Sequence, residues 1–146
     1  MAQLLEKYNG QLMESKPLAS GDIRRATYCI RKFPRYLCLT IARFQTDFQQ
    51  RIEKNRTIVT FPVDDLPSVD GLKAPPYQLF AVICHENRAK DGQRGGPYNP
   101  EEAHYTLYIR RGDSFLFMDD NHVTFVEDPL EISISEAYML IYRKKE

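Results

Sequence analysis

No charge of either sign predominates in this sequence, in which 20 basic side chains balance 20 acidic ones over 146 residues. That balance excludes a global field drawing the chain to nucleic acid or an anionic membrane, and leaves RNA contact to a local patch. No apolar run approaches the ~20 residues needed to cross a bilayer, and the polar N-terminus lacks a signal-peptide pattern, so no membrane partner is expected. Cysteine is scarce. Cys29, Cys38 and Cys84 are odd in number and include no Cys-x-x-Cys pair. This argues against a disulfide framework or a zinc ribbon and points to a reducing compartment. His85, His104 and His122 show no metal spacing with a third ligand, so neither metal nor cofactor is expected.

What is present fits one globular domain over residues 1–146. Hydrophobic residues are 42% of the chain and charged ones 27%, enough to bury a core. Leu4, Leu5 and Tyr8 followed by Gly10 predict a short helix with a glycine stop. Gln11 to Asp22 is polar, holds Pro17 and Gly21, and reads as loop, with strands from Ala26 onward. Tyr36 to Ile41 is nearly continuous in β-forming residues, as in a strand buried on both faces. Thr57 to Phe61 is a second short β-rich run ended by Pro62, and Asp64 to Pro76 reads as loop. Tyr77 to Cys84 predicts another apolar strand. Asn87 to Glu102, glycine- and proline-rich, is the longest irregular stretch. Further strands are expected around Val123 to Val126 and Tyr138 to Tyr142. The fold class is therefore α+β, mainly antiparallel sheet. One short helix cannot cover both faces of such a sheet, so a companion chain over the sheet is expected.

The clearest local feature is a hairpin. Ala103-His104-Tyr105-Thr106-Leu107-Tyr108-Ile109 and Phe115-Leu116-Phe117-Met118-Asp119-Asp120 flank Arg111-Gly112-Asp113-Ser114. Gly112 suits the first central position of a two-residue type II′ turn. Pairing outward from that turn sets His104 opposite Asn121 and Thr106 opposite Asp119. His104 and Asp119 are then diagonal neighbours on one face, roughly 7–8 Å apart at the backbone and closer at their tips. A carboxylate so placed fixes the tautomer of an imidazole acting as base. Asp120 is expected to face the other side of the hairpin. The simpler role for His104 is a strand histidine bonded to a neighbour.

These segments resemble the C-terminal half of the ubiquitin-specific protease fold. The resemblance is carried by Phe33-Pro34-Arg35-Tyr36-Leu37 with Ile41-Ala42-Arg43-Phe44, by Phe61-Pro62, by Tyr77 to His85, by Ala103-His104-Tyr105, by Phe115 to Val123 and by Ala137 to Tyr142. It covers essentially the whole chain and implies the fingers and palm part of a papain-like fold, with His104 and Asp119 at the ancestral catalytic positions. Leu5 to Gly10, Ile134 to Tyr138 and above all Glu53-Lys54-Asn55-Arg56-Thr57-Ile58-Val59 are similar to the tri-snRNP-associated splicing factors of that family. This implies a nuclear, catalytically dead protein of pre-mRNA splicing with spliceosomal tri-snRNP proteins as partners. Two departures matter. Those splicing factors lack the histidine and aspartate that this chain has, and this sequence holds no Gly-Asn-x-Cys-Tyr nucleophile box. The resemblance therefore implies a partial domain lacking the Cys-bearing N-terminal half.

A cysteine protease needs a thiolate beside its imidazole, usually at a helix N-terminus where the dipole lowers the thiol pKa. Cys38 and Cys84 fall in predicted strands and Cys29 in a further one, where cysteine acts as a small hydrophobe. Cys84 and His85, as strand neighbours, point to opposite faces. All three cysteines are expected to be structural, and His85 and His122 structural or solvated. Arg88, Lys90 and Arg94 offer a partner or RNA phosphate contact within a stretch whose simpler role is a solvated insertion. The expected function is a non-enzymatic scaffold of the tri-snRNP, with ubiquitin the weaker expected partner. The alternative is the His/Asp half of a deubiquitinating cysteine protease.

Overall fold

Six antiparallel strands form the central sheet: β3 (Tyr36–Thr40), β6 (Tyr77–Asn87), β7 (Ala103–Arg111), β8 (Ser114–Asp119), β9 (His122–Phe125) and β10 (Ala137–Lys144), in the spatial order β3-β10-β6-β7-β8-β9. The computed structural model describes residues 5–66, 74–87 and 103–146, without the side chains of Leu12 and Asn87. Two small hairpins stand apart from the sheet: β1 (Asn9–Pro17) with β2 (Ile23–Cys29), and β4 (Phe44–Thr46) with β5 (Ile52–Lys54). The one helix among the described residues with a full turn is α1 (Leu130–Ser133).

The most apolar stretch, β6, lies between β10 and β7, where burial is greatest. Tyr77, Leu79, Val82 and Cys84 have no exposed surface, nor do Leu140 and Tyr142 of β10. Ile132 of α1, Phe61 and Phe115 close over them, and Phe33, Leu37, Leu39, Val63 and Leu66 pack around the rim. Two arginines tie irregular chain to this layer. Arg110 donates from Nε to the Leu79 carbonyl (2.8 Å) and from Nη2 to the Val63 carbonyl (3.0 Å). Arg43 donates from Nε to the Ala137 carbonyl (2.6 Å) and from Nη1 to those of Asn55 (3.0 Å) and Thr57 (2.9 Å).

The opposite face is different. Register places Cys38, Ile141, Ala81, Ile109, Leu116 and Phe125 in one row across all six strands. Thr40, Met139, Ile83, Leu107, Met118 and Val123 form the next row. Only Ala81 among them is buried, and none joins a core cluster. Among the described residues no core cluster covers this apolar face, in line with the surplus of apolar sheet surface expected from the sequence.

Several expectations are corrected. Gln11 to Asp22 is loop only from Leu18 onward: Asn9–Pro17 is β1, in a two-stranded ribbon whose exposure on both sides erases the apolar alternation that marks a half-buried strand. Leu5 and Glu6 are helical, but Gly10 does not stop a helix. It lies in β1 at a register shift with φ +81°, where an added Cβ would meet the Cys29 Cβ at 3.5 Å. Tyr36–Thr40 is an edge strand with alternating exposure, not one buried on both faces. Thr57 to Phe61 forms no strand; the Thr57 carbonyl, with that of Asn55, accepts from the Arg43 guanidinium instead of joining a ladder. The β4–β5 hairpin, unread in the sequence, turns on Asp47, whose carboxylate accepts the Gln49 and Arg51 amides, both at 2.8 Å. Residues 67–73 and 88–102, with Arg88, Lys90 and Arg94, lie outside the described residues.

Candidate functional site

The β7–β8 hairpin turns at Gly112, with φ +63°, and pairs Arg111 with Ser114 through Leu107 with Met118. This is the register drawn from the sequence. It ends before His104 reaches Asn121, because Asp119 instead pairs with His122 and the chain turns back through Asp120 and Asn121. His104 is held from the other side, opposite Glu86 of β6.

Both side chains of interest thus come from the same end of the sheet. The His104 Nε2 lies 2.6 Å from the Asp119 Oδ1, each side chain 22% exposed. An imidazole donating from Nε2 to that carboxylate keeps Nδ1 as its accepting nitrogen, the arrangement of a general base with an orienting acid. Asp120 departs from expectation. It has φ +50° at the turn, and its carboxylate comes within 4.8 Å of the donor atoms of His104 and Asp119. The left-handed residue breaks the strict alternation on which the opposite-face expectation rested. These three donors are the one group among the described residues with a spacing open to a cation; the His104–Asp119 hydrogen bond accounts for the closeness of two of them.

No thiol hydrogen-bonds to His104 among the described residues. Cys84 is sealed beside Ser135 and Thr106, and burial pushes its thiol up to about 11, the opposite of what a nucleophile requires. Cys29 and Cys38 are exposed, not core residues as expected. Cys29 ends a ribbon strand and Cys38 lies on the uncovered face of an edge strand, so neither has neighbours enough to bury it.

Next to His104 in sequence, Tyr105 points the other way, into an aromatic nest. The His85 ring meets Phe44 at 5.0 Å and Tyr105 at 4.8 Å in edge contacts, with Tyr138 at 6.3 Å. Burial first, then the Lys54 ammonium, hold His85 below the ordinary histidine value. Lys54, its side chain without exposed surface, binds the Glu136 carboxylate and the His85 carbonyl. Sequence reasoning missed this nest, since Phe44, His85, Tyr105 and Tyr138 come from four separate strands. His122 is exposed on β9, as expected of a solvated histidine.

Residues 6–142 match the family model described as ubiquitin carboxyl-terminal hydrolase. Ubiquitin carboxyl-terminal hydrolase 39 of Homo sapiens and its Mus musculus counterpart are each 28% identical over 154 residues, covering 98% of this chain and 25% of theirs. The probable ubiquitin carboxyl-terminal hydrolase 1 of Schizosaccharomyces pombe is 30% identical over 132 residues, covering 78% of this chain and 14% of its own. The chain thus spans a quarter or less of the length of these relatives. Among solved structures, a chain of the SAGA DUB module bound to monoubiquitin superposes with a TM-score of 0.66 at 20% identity, covering 92% of this chain and 31% of that one. An essential yeast splicing factor superposes with a TM-score of 0.58 at 15% identity, covering 99% and 30%. At those identities the likeness concerns the fold, and the sheet described above is the C-terminal part of a ubiquitin-specific protease domain.

Proposed function

The chain belongs to the ubiquitin carboxyl-terminal hydrolase family, and from that premise we propose that it is a non-catalytic part of a ubiquitin-specific-protease-like domain. It acts in the nucleus as an assembly component of the spliceosomal tri-snRNP. The observation that carries a docking role is the pair of apolar rows crossing the sheet from Cys38 and Thr40 to Phe125 and Val123. Apolar surface of that continuity marks a protein contact. The splicing assignment is supported by the strings Leu5 to Gly10, Glu53 to Val59 and Ile134 to Tyr138. On this reading His104 and Asp119 are ancestral catalytic positions, inert because no thiolate faces them.

A second reading is favoured by the 2.6 Å bond between those two residues. In it the chain supplies the acid–base half of a deubiquitinating cysteine protease, and a cysteine from a companion polypeptide or another part of the protein attacks the substrate. A ubiquitin-derived electrophilic probe separates the two readings. With tagged chain captured from nuclear extract, the scaffold reading expects tri-snRNP proteins on wild type, their loss on Ile109→Glu, and no probe adduct. An adduct in the captured complex that vanishes on His104→Ala would establish the enzyme instead.

A further inference from the structure

Strand β9 closes one edge of the sheet, and its outer side is open. Asp119 and His122 flank the two-residue turn, and the Val126 amide donates to the Phe115 carbonyl at 2.9 Å. By antiparallel alternation the backbone groups of His122 and Thr124 face β8, while those of Val123 and Phe125 face outward. Among the described residues no hydrogen bond engages those outward groups. All four residues of β9 are exposed, with Val123 at 51% and Phe125 at 68%. The edge is short, four residues, but His122–Phe125 holds no lysine, no proline and no register shift to blunt it further.

The surroundings select a partner by charge. A groove of about 470 Å³ lies beside the edge on the inner side, floored by Tyr108 and Phe117 and bearing Glu86, Glu131 and Glu136, with no lysine or arginine in its wall. Glu136 is already paired with Lys54, whereas Glu131 is exposed. Although the whole chain is neutral, the stretch from Gly112 to Tyr142 contains Asp113, Asp119, Asp120, Glu127, Asp128, Glu131 and Glu136, no lysine or arginine, and His122 as its one imidazole.

We propose that β9 is the docking edge for an extended basic segment of a partner protein, which adds to the sheet as a further strand. Its backbone pairs with the outward groups of Val123 and Phe125. Pleating sends the side chain opposite Thr124 into the acidic groove and those opposite Val123 and Phe125 to the apolar face. The segment therefore alternates arginine or lysine with aliphatic residues. This inference does not depend on the function proposed above.

The probe is a fluorescently labelled peptide alternating arginine and valine, titrated against the chain at near-physiological salt. One comparison peptide has glutamate in place of arginine, a second has the same composition with its arginines in one block, and a third is N-methylated on alternate backbone amides. The alternating peptide is expected to bind at least about tenfold more tightly than each of the three, a difference equal to about one good hydrogen bond or charge contact. Phe125→Pro, which removes an outward amide and leaves the bonds to β8, and Glu131→Lys should each weaken binding about tenfold. Equal affinity for the blocked or N-methylated peptide would overturn strand addition, as would undiminished binding by a Phe125→Pro chain that melts like the parent. Self-association of the free chain that Phe125→Pro abolishes and Ile109→Glu leaves intact would assign the edge to a second copy and overturn the proposal. Should Phe125→Pro fail to fold, the N-methylated peptide against wild type decides.

Discussion

A cysteine's place in the fold decides its chemistry, and the three in this chain divide cleanly. Cys84 has no exposed surface and its thiol is pushed up to about 11 by burial, whereas Cys29 and Cys38 face solvent. A thiol-reactive dye at pH 8 should therefore titrate two cysteines quickly and the third only after denaturant; fast reaction of all three in the folded chain would contradict the burial of Cys84. The same shift fixes a pH dependence. The folded value lies above the ordinary 9.0, so the neutral thiol's contribution is complete below about 9 and is lost as pH climbs toward 11. Cys84→Ala should flatten that part of the alkaline stability curve, measured as denaturation midpoint against pH. His104 and Asp119 are the residues whose proximity could be read in advance. Gly112 set the hairpin register, and register sets which side chains share a face. Asp120 could not be read the same way, because its positive φ belongs to the turn into β9.

Among the elements, the β4–β5 hairpin gives the string Glu53 to Val59 a physical meaning. Lys54 leaves β5 to reach Glu136 and the His85 carbonyl, and Asn55 accepts the Thr57 amide at 2.9 Å while its own carbonyl takes Arg43 at 3.0 Å. The string is a clamp that fixes the hairpin against β6 and the start of β10. Removing one partner of such a pair strands the other. Lys54→Met should cost about 3 kcal/mol in chemical denaturation, and Lys54→Met with Glu136→Leu should recover most of that. If the single change proved neutral, the clamp would be an exposed ion pair of little consequence. Apolar periodicity missed this element because its stability comes from buried charge and backbone acceptors.

For the whole molecule, the two faces of one sheet have opposite fates. The inner face holds Leu79, Val82, Leu140 and Tyr142 with no exposed surface, beneath α1 and the Phe61 segment. The outer face carries two apolar rows, partly buried at the centre and exposed at their ends, that join no core cluster among the described residues. The isolated chain should bind a hydrophobic dye strongly and self-associate. Ile109→Glu should reduce dye binding with little change in stability, while Leu140→Ala on the inner face should cost ~2–5 kcal/mol. A clean monomer with a sharp two-state melt and no dye signal would mean that the face is covered.

The strands of the central sheet, the antiparallel class, the His104–Asp119 neighbourhood and the surplus of apolar surface were all determined by the sequence, since period-two patterning and one glycine turn act over a few residues. Contacts between segments far apart in the chain decided the rest. They made a ribbon of the polar stretch before Asp22, withheld the ladder from Thr57 to Phe61, gathered Phe44, His85, Tyr105 and Tyr138, and sealed Cys84 while exposing Cys38. Burial, and with it the ionisation of a thiol or an imidazole, depends on what another strand brings alongside, which local pattern does not encode.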